Sequence, residues 1–201
     1  MKRIVIVYYG LGNLRSVFRG LEKSGASPRI TSDISEISSA DGIVLPGVGA
    51  FRDGMEQLSA MRKAIIEAAS SVPVLGICLG MQMLLEWSEE HGLHSGLSVI
   101  PGTVRRFPRT AGYKIPHMGW NSLHIAMPDH PLMAGIPEGA YVYFDHSYYA
   151  EAAPLHTLTT TRYISSFASS VSQDNVYGVQ FHPEKSGAIG LRILENFISL
   201  V

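Results

Sequence analysis

Cysteine is almost absent: Cys78 stands alone in 201 residues, so no internal disulfide can form and a cysteine-rich zinc site is excluded. A lone thiol is either core filler or a reactive group, and its surroundings must decide which. Charge is scarce too, at 16% of residues, and the sixteen basic side chains nearly cancel the seventeen acidic ones. That balance supplies no electrostatic footprint for nucleic acid or an anionic membrane, which leaves small molecules or protein as partners. No apolar run approaches the roughly 20 residues that span a bilayer. Residues 1–7 lead directly into a strand-like run rather than a secretory leader, so a cytoplasmic chain is expected. Linkers, repeats and low-complexity stretches are lacking as well. With 46% hydrophobic residues, a single domain over 1–201 with one well-buried core is predicted.

What is present is an alternation. Residues 2–7 (KRIVIV) form a β-branched run ending in the turn Gly10, Leu11, Gly12, Asn13, after which Leu14, Val17, Phe18 and Leu21 recur at helical spacing. Residues 42–45 are apolar, 46–49 read as a turn, and Met55, Leu58, Met61 and Ile65 mark one helical face. A third apolar run at 72–77 precedes a helix predicted from Leu79 to about Glu89. Apolar strands alternating with amphipathic helices imply an α/β fold: a mainly parallel, doubly wound sheet with flanking helices. From Gly96 onward, short strand-like pieces at 104–107, 141–144, 156–161 and 176–181 predict a small antiparallel extension. A closing helix over 188–200 places Ile189, Ile193, Leu194, Phe197 and Ile198 on one side.

The segment PVLGICLG, residues 73–80, sets Cys78 between an apolar strand and a helix, with Gly76 and Gly80 two residues to either side. This is the form of a nucleophile elbow, in which a strained turn projects the nucleophile and small neighbours avoid clashes. The following helix N-terminus favours a thiolate and offers the Leu79 amide to an oxyanion. A buried cysteine packed at a strand end is the competing reading. His182 begins the tripeptide His182, Pro183, Glu184 directly after an apolar run. In an extended chain residues two apart share a face, so Glu184 can reach one ring nitrogen while the other faces Cys78. Glutamate then orients the imidazole, although a solvated surface turn explains the same three residues. Pro46, Gly47, Val48 and Gly49 follow another strand and form either a backbone nest for a developing negative charge or a plain turn. In a parallel sheet, this loop and the elbow both emerge at carboxyl ends of strands, where doubly wound folds place ligands.

With GICLGMQ around Cys78, FHPEK ending the last core strand and LPGVGAF between them, the chain resembles the class I glutamine amidotransferases over essentially its whole length. YGLGN at 9–13, PHMGWN at 116–121 and HSYY at 146–149 narrow the resemblance to the glutaminase subunits of imidazole glycerol phosphate synthase, in histidine biosynthesis. The resemblance implies a triad of Cys78 as nucleophile, His182 as general base and acid, and Glu184 as orienting carboxylate. It implies oxyanion donors from Gly47, Val48, Gly49 and Leu79, and a glutamine pocket lined by Gln82, Glu90, Ser147 and Tyr148. On residues alone, Gln82 and Glu90 are equally polar positions on an exposed helix face. The implied partner is the (β/α)8-barrel cyclase subunit, which takes ammonia through its interior. Asn13, His117, Met118, Trp120, Asn121 and Lys185 occupy the positions that would face it, with an ordinary core tryptophan as the alternative for Trp120. Relatives hold the Val48 peptide turned away from the oxyanion position until the partner binds its own ligand. No cofactor and no metal is implied. Other ammonia acceptors, in surface-sugar amidation or pyridoxal phosphate synthesis, remain the alternative, PHMGWN arguing against the second. A non-catalytic scaffold or a peptidase-like cysteine hydrolase on the same fold is a third reading. The chain departs from the pattern at Tyr8, where many relatives carry aspartate, and at Asp145, where an apolar residue commonly precedes His-Ser-Tyr.

Overall fold

Strand β1 (Ile4–Val7) is buried at every position, and its side chains alternate between two cores: Val5 and Val7 enter one, Ile4 and Ile6 the other. A strand apolar on both faces needs cover on both, and each such buried side chain contributes about 1.5–3 kcal/mol. The computed structural model describes residues 2–201; Met1 lies outside them. Helices α1 (Leu14–Lys23) and α6 (Gly187–Leu200) cover one face through Val17, Leu21, Ile193, Leu194 and Phe197. On the other lie α2 (Ile34–Ser38), α3 (Phe51–Leu58) and α4 (Arg62–Ala69), through Ile37, Phe51, Leu58, Ala64 and Ile65.

The parallel part of the sheet runs β2 (Arg29–Thr31), β1, β3 (Gly42–Gly47), β4 (Val74–Cys78) and β14 (Val176–Val179). Between β4 and β14 in sequence come α5 (Leu79–Leu84), β5 (Leu85–Ser88), β6 (His94–Ser95), β7 (Ile100–Arg106), β8 (His117–Ser122), β9 (His124–Ile125), β10 (Tyr141–His146), β11 (Tyr148–Glu151), β12 (Thr157–Arg162) and β13 (Ser166–Gln173). From β14 the sheet continues through antiparallel β13, β11 and β7 to β5 and β6, while β8 and β10 form a separate antiparallel pair. The expected α/β architecture, parallel sheet plus antiparallel extension, is observed.

Three local expectations are corrected. The helix after Cys78 stops at Leu84 instead of Glu89, and residues 85–88 form a strand beside β7. The segment from Gly96 to Val99 is the cause: its backbone N–H groups donate to the carbonyls of Met83, Leu84, Leu85 and Glu86, which a longer helix would need for itself. The face marked by Met55 to Ile65 is broken by a 3-10 turn at Ser59–Met61 into α3 and α4. The turn predicted at 46–49 begins later, because Pro46 and Gly47 pair with Ile77 and Cys78 as part of β3.

Candidate active site

Strands β3, β4 and β14 are parallel neighbours, so their carboxyl ends deliver Val48–Gly49, Cys78 and the chain leading to His182 to one crevice. Cys78 sits at φ 55°, ψ −110°, a conformation that side chains rarely adopt and that costs about 1–3 kcal/mol. Small neighbours make the turn possible. A Cβ on Gly80 would lie 1.7 Å from the Leu45 carbonyl oxygen, and one on Gly76 would lie 2.7 Å from the Gly80 carbonyl carbon and the Met81 nitrogen. The strain and the close packing together make an elbow of this segment, rather than a strand end with a cysteine as filler.

His182 Nδ1 lies 2.8 Å from Glu184 Oε1, and both side chains are buried. The reach does not come from an extended tripeptide, as predicted. His182 is extended, but Pro183–Lys185 is a 3-10 turn that folds the carboxylate back onto the ring. Burial opposes a charge on His182, yet hydrogen bonds with Cys78 and Glu184 and attraction to both outweigh it, lifting its pKa to about 10. With Nδ1 engaged by Glu184, Nε2 is the ring nitrogen left for the cavity that His182 and Cys78 both line, and the raised pKa keeps a proton on the ring at neutral pH.

A cavity of about 450 Å³ opens over this pair, lined among others by Val48, Gly49, Cys78, Leu79, Gln82, Glu90, Ser147, Tyr148 and His182. That volume suits a small metabolite. Gln82 and Glu90 are buried, not exposed on a helix face, and Glu90 is not helical at all. One Glu90 oxygen accepts from the Phe51 N–H at 2.6 Å, at the start of α3, which anchors the carboxylate beside the cavity. Gly47 lies outside the residues that line the cavity, where an added Cβ would meet Tyr9, Leu79 and Gly80. The Tyr9 hydroxyl, buried and donating to the Pro46 carbonyl at 2.7 Å, seats the loop from below.

The residues expected to meet a partner divide by strand parity. Met118 (62% exposed) and Trp120 (56%) point out of β8, so Trp120 is not a core tryptophan. Its ring meets Tyr143 edge-on, while the Lys185 ammonium sits over the same Tyr143 ring. Asn13 and Lys185 are exposed. His117, on the alternate face of β8, is 3% exposed and cannot be presented to another protein; half-buried Asn121 bonds to it from the same side. Sequence reasoning passed over Tyr9, Gln180 and His146, all buried around the elbow, and the Asp145 carbonyl, which lies 3.8 Å from the Cys78 sulfur. Gln180 was within reach of notice, two residues before His182 and so on the same side of an extended segment. Asp145 pairs in register with Met118, and Tyr8 is exposed.

Residues 5–200 match the family model described as glutamine amidotransferase class-I. The chain belongs to this family. Among curated proteins it is 55% identical to the imidazole glycerol phosphate synthase subunit HisH of Methanosarcina mazei, over 100% of both chains. It is 54% identical to that of Halobacterium salinarum, over 97% of this chain and 92% of the relative. Among solved structures, PurLQS from Thermotoga maritima superposes with a TM-score of 0.73 at 21% identity, covering 99% of each chain. The glutaminase domain of Trypanosoma brucei CTPS gives 0.69 at 18%, covering 100% of this chain and 95% of that one. At such identities these two structures speak for the fold alone. No helix among the described residues is long and apolar enough to cross a membrane.

Proposed function

We propose that this chain is the cytoplasmic glutaminase subunit of imidazole glycerol phosphate synthase, a single class I domain that hydrolyses glutamine and passes the ammonia to a (β/α)8-barrel cyclase subunit in histidine biosynthesis. The observation that carries the reading is Cys78, strained at the elbow and lining one cavity with His182, an imidazole whose Nδ1 lies 2.8 Å from the buried Glu184 carboxylate. Full-length identity of 55% to a subunit of that synthase supports the choice of pathway.

The thiolate attacks the side-chain amide carbon of glutamine, and the carbonyl electrons move onto oxygen. The Leu79 amide and the Val48–Gly49 loop, which line the cavity, are suited to stabilise that oxyanion. As the tetrahedral intermediate collapses, the carbon–nitrogen bond breaks and His182 gives its proton to the leaving nitrogen, releasing ammonia and leaving a glutamyl thioester. His182, now neutral, takes a proton from water as the water attacks the thioester. Glutamate leaves and the ion pair is restored. Glu90, Ser147 and Tyr148, which line the same cavity, are suited to the α-amino and α-carboxylate ends of the substrate. Ammonia released into bulk water would be protonated and lost as a nucleophile, so a partner that receives it belongs to the reaction. Met118, Trp120, Asn13 and Lys185 offer the exposed apolar and polar contacts for that partner, Trp120 as anchor.

Glutamate release from glutamine, measured with and without the barrel subunit and its nucleotide ligand, tests reaction, partner and coupling together. Stimulation by the loaded barrel, abolished by Cys78→Ala, is expected. Equal release from the isolated chain and the assembled complex would refute the coupling, and no release from either would refute the glutaminase.

A further inference from the structure

Buried polar groups around the elbow form a hydrogen-bond chain whose direction is set by one backbone carbonyl. The Tyr148 carbonyl oxygen can only accept. Gln82 Nε2 lies 2.9 Å from it, so Gln82 must turn its amide nitrogen that way. The second proton on the same nitrogen then points to Gln180 Oε1, 3.0 Å away. With its oxygen so engaged, Gln180 has only its NH2 left for its other neighbour, the Cys78 sulfur, at 3.7 Å. Both amide orientations thus follow from chemistry at the far end of the chain.

The same carbonyl fixes a second branch. His146 Nδ1 lies 2.8 Å from Tyr148 O and must carry the proton, so its Nε2 accepts from His117 Nδ1 at 3.0 Å. His117 Nε2 in turn accepts from Asn121 Nδ2 at 3.2 Å. Both imidazoles are neutral in this arrangement, consistent with the burial that lowers their pKa values. The two branches occupy the Tyr148 carbonyl from both sides and hold the hub in place.

We propose that Gln180 is a further catalytic residue: an N–H donor, locked in orientation by Gln82 and the Tyr148 carbonyl, that stabilises the Cys78 thiolate. It rests on the reading of Cys78 as the nucleophile. The need for such a donor is local. The sulfur also faces the Asp145 carbonyl at 3.8 Å, an acceptor that suits the thiol and opposes the thiolate. Gln180, 0% exposed and touching the reacting atom, supplies the compensating dipole from the opposite branch of the site without adding a charge that would compete with His182.

Because Cys78 is the chain's only cysteine, alkylation by iodoacetamide reads this sulfur alone. Gln180→Met, of similar length and without a donor, is expected to alkylate about tenfold more slowly at neutral pH, with its rate profile moved to higher pH. Gln82→Met leaves Gln180 in place but removes the group that orients it, and a fall of several-fold is expected there. A wild-type alkylation rate in folded Gln180→Met would overturn the proposal. Should that variant fail to fold, Gln82→Met decides, a wild-type rate overturning it and a slowed rate upholding it. Slowed alkylation in the variants, together with an unaltered complex that releases no glutamate, would uphold the donor while sinking the glutaminase reading, so the two failures are told apart.

Discussion

Replacing Gly80 by alanine places a methyl group where no side chain can yield. The added Cβ would lie 1.7 Å from the Leu45 carbonyl oxygen, 2.8 Å from its carbon and 3.4 Å from the Pro46 carbonyl carbon, all backbone atoms of β3. Restoring ordinary contact requires β3 and α5 to separate by on the order of 1.5 Å. Overpacking costs about 1–3 kcal/mol where side chains can rearrange. Here β3 is tied by ladder hydrogen bonds to β1 and β4, so the separation breaks bonds worth about 1 kcal/mol each as well. A loss of about 4 kcal/mol or more is expected, a large share of the 5–15 kcal/mol that holds a typical domain together. Gly25 is the comparison. Its φ is +91° but nothing lies within 4 Å of an added Cβ, so Gly25→Ala carries only backbone strain of about 1–2 kcal/mol. Urea unfolding followed by far-ultraviolet circular dichroism measures both. Stability of Gly80→Ala within 1 kcal/mol of Gly25→Ala would refute the claim that the elbow helix is pressed directly onto the β3 backbone.

Three further outcomes are expected. Both Cys78→Gly and Cys78→Ala abolish glutamine hydrolysis, but the glycine variant is the more stable by about 1 kcal/mol in urea unfolding, because φ 55° strains alanine and not glycine; the reverse order would contradict strain at the elbow. His117, which burial holds at a pKa of about 4, stays neutral when folded but protonates near 6.5 when unfolded. The unfolded state therefore binds the extra proton between these values, and stability falls as pH is lowered through that window, by up to about 1.4 kcal/mol per pH unit for each such histidine, with urea midpoints falling alongside. His182, raised to about 10, acts in the opposite sense: its contribution is complete below 6.5 and is lost as pH rises toward 10. A midpoint constant from pH 7 to 5 would count against the neutral imidazole pair. Trp120→Ala leaves the stability of the isolated chain within about 0.5 kcal/mol, as suits a ring 56% exposed, while weakening the barrel complex about 30-fold in a titration; unaltered affinity would remove Trp120 as the anchor.

What could be read before folding was whatever a few consecutive residues determine. Gly76, Cys78 and Gly80 announce an elbow because the constraint is local: a strained φ needs small neighbours within two positions. The same holds for His182 and Glu184, whose contact spans a single turn even though the turn is 3-10 rather than extended. The alternation of strands and helices predicted the parallel sheet for a related reason, since burial on both faces is written into β1, β3 and β4 individually. Features decided by distant partners were not legible. The apolar residues after Cys78 run on past Leu84 to Leu85 and Trp87, and only the arrival of Gly96–Val99 at the carbonyls of residues 83–86 ends the helix. His117 was expected at the surface because PHMGWN reads as one block, whereas a strand sends His117 inward and Met118 outward; parity was available, but not which parity faces the core. The hydrogen-bond chain from Tyr148 to Cys78 joins residues 66 and 98–102 positions apart, and no short motif contains two consecutive members of it. Local signals therefore identify the nucleophile and its base, while the groups that tune the nucleophile are set by the sheet that brings β4, β11 and the end of β14 together. Residues such as Gln180 are accordingly where a three-dimensional reading adds most to what the motifs already say.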